Sequence, residues 1–243
     1  HRASLECYTM AKCYSEAASS RHGKASYLYR CGECTIRKTG VIGTNQHRRG
    51  GNLMDKHISK VHMQSVSSSY FYPWPMVMVS CVSPDGKPNI ITIGASSVCS
   101  SAPPTIGIAV SPQRYSYRLI VETGDFGVNL PSPEQVEATD FCGTHSGRDM
   151  DKFAAAGLSV QPPALIRSPL IAECPVSLEC RLREVVDLGS HHWVIGEMVA
   201  AHVDQRLLDA QGRFSPSAQH ALFCFGGDYR RVGEQIALWF FTR

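Results

Sequence analysis

The sequence predicts a mainly β chain, an antiparallel barrel or sandwich with a few short helices, and three features carry that prediction. Short runs such as "MVMVSCVS" and "NIITIGA" have strand composition and are bounded by turn residues. Between them, the Asp85-Gly86 pair of "PDGKP" favours a hairpin. Two longer runs, "VSLECRLREVVDL" and "HWVIGEMVAAHVD", are joined through Gly189. The pattern argues against a parallel α/β sheet, which would alternate strands with long helices.

Taken in order, the first stretch, to about His62, is basic, His-rich and poor in long apolar runs. It carries few strand signals, and "HRASLECYTMAKCYSEAASSRHGKAS" is expected to be loosely ordered. At "MQSVSSSYFYPWPMVMVSCVSPDG" the character changes, which separates a segment 1–62 from a domain 63–243. After the first hairpin, "TIGIAVS" reads as a third strand closed by Pro112. "YSYRLIVETG" sets Tyr117, Ile120 and Val121 at helical spacing and stops at Gly124, so a short helix is expected. "DFGVNL" returns as a strand, and "PEQVEATDFCG" opens with a proline and acidic residues, as helix starts do. The two long strands bring the count to six.

Composition bounds the function. A formal net charge of +3 is too slight to argue for a nucleic-acid surface. No apolar run reaches the length of a membrane helix, and no signal peptide is visible at the start. The ten cysteines are scattered through the chain, which favours reduced thiols in a cytoplasmic setting. Cys81, Cys99, Cys174, Cys180 and Cys224 sit in apolar or alternating runs and are expected in the core.

Three polar loops stand between ordered elements: "GKPNIITIGASSVCS", "SPQRYSY" and "CGTHSGRDMDKF". Such loops leave backbone N–H groups free to hold a phosphate or a polar ring edge. An arginine just before a helix start adds a forked, permanently charged donor. Arg114 therefore reads as an anion ligand, with Ser111 and Ser116 as supporting donors. Taken alone, a loop arginine is most often a solvated surface charge or half of a weak surface pair.

The order of motifs widens the picture. "YPWP" at Tyr72–Pro75, "NIITIG" at Asn89–Gly94 and "RYSY" at Arg114–Tyr117 are followed by "TGDFGVNLP", "ATDFCGTHSGRDMDKF" and "LGSHHWVIGEMVAAHVD". In that order and spacing, residues 70 to about 234 resemble the flavin reductase-like, FMN-binding split-barrel family, most closely its flavoredoxin branch. The resemblance implies a six-stranded antiparallel split β-barrel with short helices, preceded by a small or disordered segment. It also implies bound FMN, reduction by NAD(P)H, and a homodimer with the flavin near the subunit interface. On this resemblance, the strand bearing Asn89 and Thr92, with Ala95, Ser96 and Ser97 after it, lines the flavin ring and ribityl chain. Ala95 stands where relatives often have a tryptophan. Arg114, Tyr115 and Ser116 hold the phosphate, Asn129 lies under the ring, and Ser146, Gly147 and Lys152 cover it. The flavin carries the hydride chemistry, so no catalytic side chain is expected. An FMN-bound electron carrier that never meets nicotinamide stands as an alternative, as does a metal-dependent binding protein that has lost flavin.

Cys142 has no second cysteine at C-x-x-C spacing in this domain and reads as a small residue ending a helix. His191 and His192 fall at a hairpin turn and are expected to face solvent, while His145 lies in the covering loop. In the first segment, Cys31, Cys34, His57 and His62 supply the ligand types of a tetrahedral zinc site, the two histidines sharing one helix face. "GGNLMDKHISKVH" resembles the helical half of a C2H2 or BED-type finger. The 22 residues between Cys34 and His57 exceed the usual gap of about twelve, so an unstructured His- and Cys-rich leader remains the other reading. Nucleic acid enters only if that segment is a working finger.

Overall fold

A computed structural model describes residues 14–18, 24–31, 34–41, 60–215 and 221–234. The chain divides into two compact units, His1–Val66 and Ser67–Arg243.

In the first unit, β1 (Tyr14–Ala18), β2 (Lys24–Cys31) and β3 (Cys34–Val41) form an antiparallel sheet in that order. Few strand signals were expected here, yet Tyr27, Leu28, Tyr29, Thr35 and Ile36 are the residue types that suit a pleated surface. Cys31 and Cys34 are cross-strand partners at the end of the β2–β3 hairpin. His57 lies outside the described residues, as do the side chains of Cys31 and Cys34. Residues 60–63 have no regular secondary structure, so the expected helix does not reach His62. Among the described residues no group of three or more His, Cys, Asp or Glu side chains could hold a metal, and zinc finds no support.

The second unit opens with the two-residue β4 (Trp74–Pro75), where Tyr72 and Trp74 pack ring to ring at 4.7 Å. The sheet proper consists of β5 (Val77–Val82), β6 (Pro88–Ile93), β7 (Ser96–Ser101), β8 (Pro104–Val110), β9 (Asp125–Leu130), β12 (Val176–Asp187) and β13 (His192–Val203). Their order is β6-β5-β9-β12-β13-β8-β7, antiparallel throughout. Helix α1 (Tyr115–Thr123) links β8 to β9, while α2 (Val136–Thr144) and α3 (Lys152–Ala155) follow β9. Short pairs complete the unit: β10 (Val160–Gln161) with β11 (Leu170–Ile171), and β14 (Leu222–Phe225) with β15 (Asp228–Arg231). The mainly β, antiparallel split barrel is as expected, with seven strands in the sheet instead of six. The additional strand is β7, whose "SSVCSS" has turn-former composition but pairs with β8. Cys99 lies on it and is exposed, unlike the buried Cys81, Cys174, Cys180 and Cys224.

Two cores explain why β5 is buried along its whole length. Val79 and Cys81 face the barrel interior with Ile91, Ile108, Phe126, Val128 and Val194. Met78 faces the other way, against Ile90, Cys142, Phe153 and Ile171 beneath α2 and α3. A strand covered on both faces has no polar side to alternate with. Each fully buried side chain of this size contributes on the order of 1.5–3 kcal/mol. Helix α1 turns Leu119 and Ile120 inward, and Val121, expected on that face, is exposed. It ends at Gly124, whose φ of 74° suits glycine and whose N–H donates to Ile120 O. At the start of the α2 region, Gln135 Oε1 accepts from Ser132 N at 2.8 Å.

Two carboxylates fix the segment before β11. Glu179, fully buried on β12, accepts from the amides of Ala164 (2.6 Å), Leu165 (2.6 Å) and Ile166 (3.1 Å). Asp125, on the neighbouring β9, accepts from the amides of Arg167 and Ser168, both at 2.9 Å. His202 Nε2 lies 2.6 Å from Glu179 Oε1. Burial works against the Glu179 charge, but the Ala164 amide, His202 and the Leu165 amide outweigh it and hold the carboxyl below its usual range. A carboxyl lowered in the folded state stabilises the fold above its unfolded pKa and loses that contribution as pH falls through its folded value. The unfolding midpoint, followed by denaturant titration from pH 7 to pH 3, should therefore drop in the acid range. Glu179→Gln should be less stable at pH 7 by about 2–3 kcal/mol, with the gap to wild type closing in acid. A gap independent of pH would show that the charge on Glu179 is not what holds the segment.

Candidate functional site

The β8–α1 junction builds the first wall of the site. Arg114 is the N-cap residue of α1 and has an extended backbone; its N–H donates to Ser111 O at 3.0 Å. No side chain caps this helix start and its first turn holds no acid. Tyr117 N donates to Arg114 O at 3.1 Å, so the amides of Tyr115 and Ser116 are the opening ones left for a ligand, at the end of the helix that favours an anion. Ser116 is buried, and its Oγ accepts from Asn89 Nδ2 at 2.8 Å. Accepting there leaves the hydroxyl proton free to be donated elsewhere.

The α2–α3 loop builds the second wall. Lys152 is 3% exposed, and its Nζ donates to Ile90 O on β6 and to Cys142 O on α2, both at 2.8 Å. An ammonium has three donors, and the third has no partner among the described residues. Burial pulls the Lys152 pKa down to about 8; Cys142 and Cys81 oppose that, and the positive charge of Arg114 adds to it. Gly147 is pressed against Asn89: a Cβ there would fall 1.9 Å from Asn89 Oδ1, so any side chain would have to displace Asn89. That Oδ1 is the one buried side-chain oxygen or nitrogen among the described residues with no hydrogen-bond partner.

Between the walls lies a cavity of about 80 Å³ lined by Arg114, Tyr115, Ser116, Ser146, Gly147 and Lys152, with Ile91, Gly143, Thr144 and His145 completing it. Six of the residues expected at a flavin site are thus brought together. The others are not on this lining. Asn89 stands behind it, orienting Ser116. Ser111 supports the turn through its carbonyl. Thr92 Oγ1 donates to Thr139 O on α2. Ala95 and Ser97 are exposed, with Ser96 partly so, on the approach to β7 and on β7 itself. Asn129 is completely buried: it donates to Met78 O and Ser80 Oγ and accepts from Ile171 N and Ser177 Oγ. With every polar atom spent on the chain, it is a clamp between strands.

Neighbouring groups sort by their contacts. The Cys142 thiol is buried and pushed up to about 11 by that burial, so it is protonated near neutral pH. His145 stacks on Phe141 at 4.1 Å and borders a second, open depression of about 430 Å³ with Val136, Asp140, Thr144 and Tyr229. His192, expected in solvent, is largely enclosed: its Nδ1 lies 2.8 Å from Tyr117 Oη and its Nε2 lies 3.5 Å from Asp187 Oδ1. The carbonyl acceptors of Lys152 could not be foreseen, since backbone oxygens leave no mark in a sequence.

The cavity is a cationic, donor-rich niche on a split barrel, and the fold has counterparts among known proteins. The protein is similar to the flavoredoxin of Desulfovibrio vulgaris (Miyazaki F), with a TM-score of 0.69 and 29% identity over 75% of this chain and 98% of that one. It is equally similar in fold to a flavoredoxin from Methanosarcina acetivorans, with a TM-score of 0.69 and 27% identity over 75% and 97% of the two chains. In sequence it is 27% identical over 146 residues to a flavin reductase of Pseudomonas putida, covering 59% of this chain and 82% of that protein. Among the described residues no helix is long and apolar enough to cross a membrane. The model of the flavin reductase like domain matches residues 68–231, and the chain belongs to that family of flavin-related oxidoreductases.

Proposed function

We propose that this chain binds FMN by its phosphate in the cavity between α1 and the α2–α3 loop, and that it takes hydride from a reduced nicotinamide dinucleotide. The observation that carries the reading is the convergence of Arg114, Lys152, the start of α1 and the Ser116 and Ser146 side chains on one space of about 80 Å³. Two cations, unspent amides and a hydroxyl held by Asn89 form a donor set suited to a phosphate. A bound flavin supplies the hydride chemistry. The chain's own residues bind and orient: Arg114 offers a fork, Lys152 fixes β6 to α2 and keeps one donor, and Gly147 lets the loop close on Asn89. Ala95 and Ser97 are exposed beside β6 and offer no aromatic wall, which leaves a surface for a nicotinamide and for a second copy of the chain. A homodimer follows from that reading. The likeness to two flavoredoxins supports a second one, an FMN-bound electron carrier without nicotinamide activity. Flavin absorbance of the purified protein, followed by stopped-flow bleaching with NADH and NADPH, separates them: a yellow protein that neither nucleotide bleaches is a carrier.

The phosphate assignment is tested by Arg114→Ala, which should weaken FMN by about 1.5–3 kcal/mol and leave riboflavin almost unaffected. Equal losses for both ligands would move the phosphate elsewhere.

A phosphate beside Lys152 favours its charged form and raises its pKa from about 8. Binding then takes up a proton where the free protein has lost it, so FMN affinity should be level from about pH 7, where the phosphate is a dianion, to pH 8 and fall above it. Calorimetry near pH 8 in two buffers of different ionisation enthalpy reads the uptake directly; zero uptake removes Lys152 from the phosphate's surroundings.

Since the Cys142 thiol is buried and protonated near neutral pH, Cys142→Ser should bleach at a rate within about threefold of wild type. Abolished bleaching with FMN still bound would instead demand a thiol step.

A further inference from the structure

Helix α2 buries Thr139 and Cys142 beneath it, yet apolar side chains stand on another of its sides as well. There Val136 and Phe141, only partly buried, border the open depression of about 430 Å³, which Tyr229 of β15 lines from the other element. That volume falls in the range of about 300–1,000 Å³ in which proteins hold an occupant. Glu137 and Asp140 line the same space and are exposed, and neither has an ion pair among the described residues. The Tyr229 hydroxyl is already spent, donating to Asp140 Oδ1 at 2.9 Å. The depression thus offers apolar surface and negative charge without a cation.

The sequence holds a segment of matching character. Residues 235–243, "QIALWFFTR", lie outside the described residues and carry Ile236, Leu238, Trp239, Phe240 and Phe241, one arginine and no acid. A cluster of large apolar side chains of this kind marks a segment that something covers. Its tether is short: Ile236 follows Tyr229 by seven positions, a reach of about 23 Å at full extension. A segment held this close acts at an effective concentration of about the millimolar range, well above that of a second copy of the chain in dilute solution. Charge agrees as well, since Arg243 supplies the cation that Glu137 and Asp140 lack.

We infer that residues 235–243 turn back over α2 and seat their apolar side chains in the depression, with Arg243 beside Glu137 and Asp140. Val136, Phe141 and Tyr229 are then covered by the segment's own rings. Thr144 and His145 line both the depression and the smaller cavity, so the seated segment stands next to whatever that cavity holds. The inference does not depend on what that is.

The experiment follows Trp239, one of three tryptophans, by acrylamide quenching of the full chain, its share taken as the difference from Trp239→Phe. Trp239 should be quenched about threefold less efficiently than free tryptophan amide, as befits a ring with most of its surface covered. Glu137 is exposed, so Glu137→Arg leaves the fold intact and should raise that quenching about twofold or more. Arg243→Glu should do the same. The double variant Glu137→Arg/Arg243→Glu, which restores opposite charges, should return to the wild-type value. A Trp239 as open as the free amide overturns the docking. So does a shielded Trp239 indifferent to both charge reversals, which places the segment on another surface. Shielding lost on about a hundredfold dilution of the protein assigns the depression to the segment of a second copy and overturns docking within one chain.

Discussion

One buried ammonium organises this part of the molecule. Lys152 reaches from the start of α3 to a carbonyl of β6 and to the last turns of α2, so three elements separated by up to 62 residues meet on one nitrogen. A lysine this enclosed is costly to keep charged, and the two carbonyls offset that cost with charge-assisted hydrogen bonds. The loop between α2 and α3 takes its course from this anchor, and with it the positions of Ser146, Gly147 and Arg148. The same group forms the deep wall of the cavity. Structure and binding are here a single interaction: whatever frees Lys152 from its carbonyls also dismantles the place where an anion would sit.

The opposite wall is built on a different physical basis. On α1 the anion-attracting elements are the helix start and the Arg114 fork, neither of which needs burial to stay charged. Asn89 connects the two sides: it orients Ser116 through its amide nitrogen and meets Gly147 with its oxygen. A strand residue that never lines the cavity thus sets how closely the walls approach.

Much of this was legible in the sequence. Turn chemistry at Asp85-Gly86 and Gly124 located β5–β6 and the end of α1, and the polar loops of the sequence include six residues that line one cavity. What stayed hidden has physical causes. β7 is made of serines whose turn propensity outweighs their strand propensity, and only pairing with β8 decides the matter. The resemblance set Asn129 under the ring, a placement that says nothing of its four side-chain hydrogen bonds, all of which end within the chain. His192 followed a turn and so read as solvated, while the ring that covers it, Tyr117, lies 75 residues earlier. In the first unit, β-forming residues were masked by the surrounding charge.

The segment from Ala164 to Ser168 has no helix or strand of its own, yet five consecutive amides end on two carboxylates. In deuterated solvent such a stretch behaves as a strand would. Exchange at these positions waits for Glu179 and Asp125 to let go together, since each carboxylate holds several amides at once. Slow exchange would therefore extend across a connection that secondary structure alone marks as open, and the outermost layer of the barrel would begin one loop earlier than its strands do.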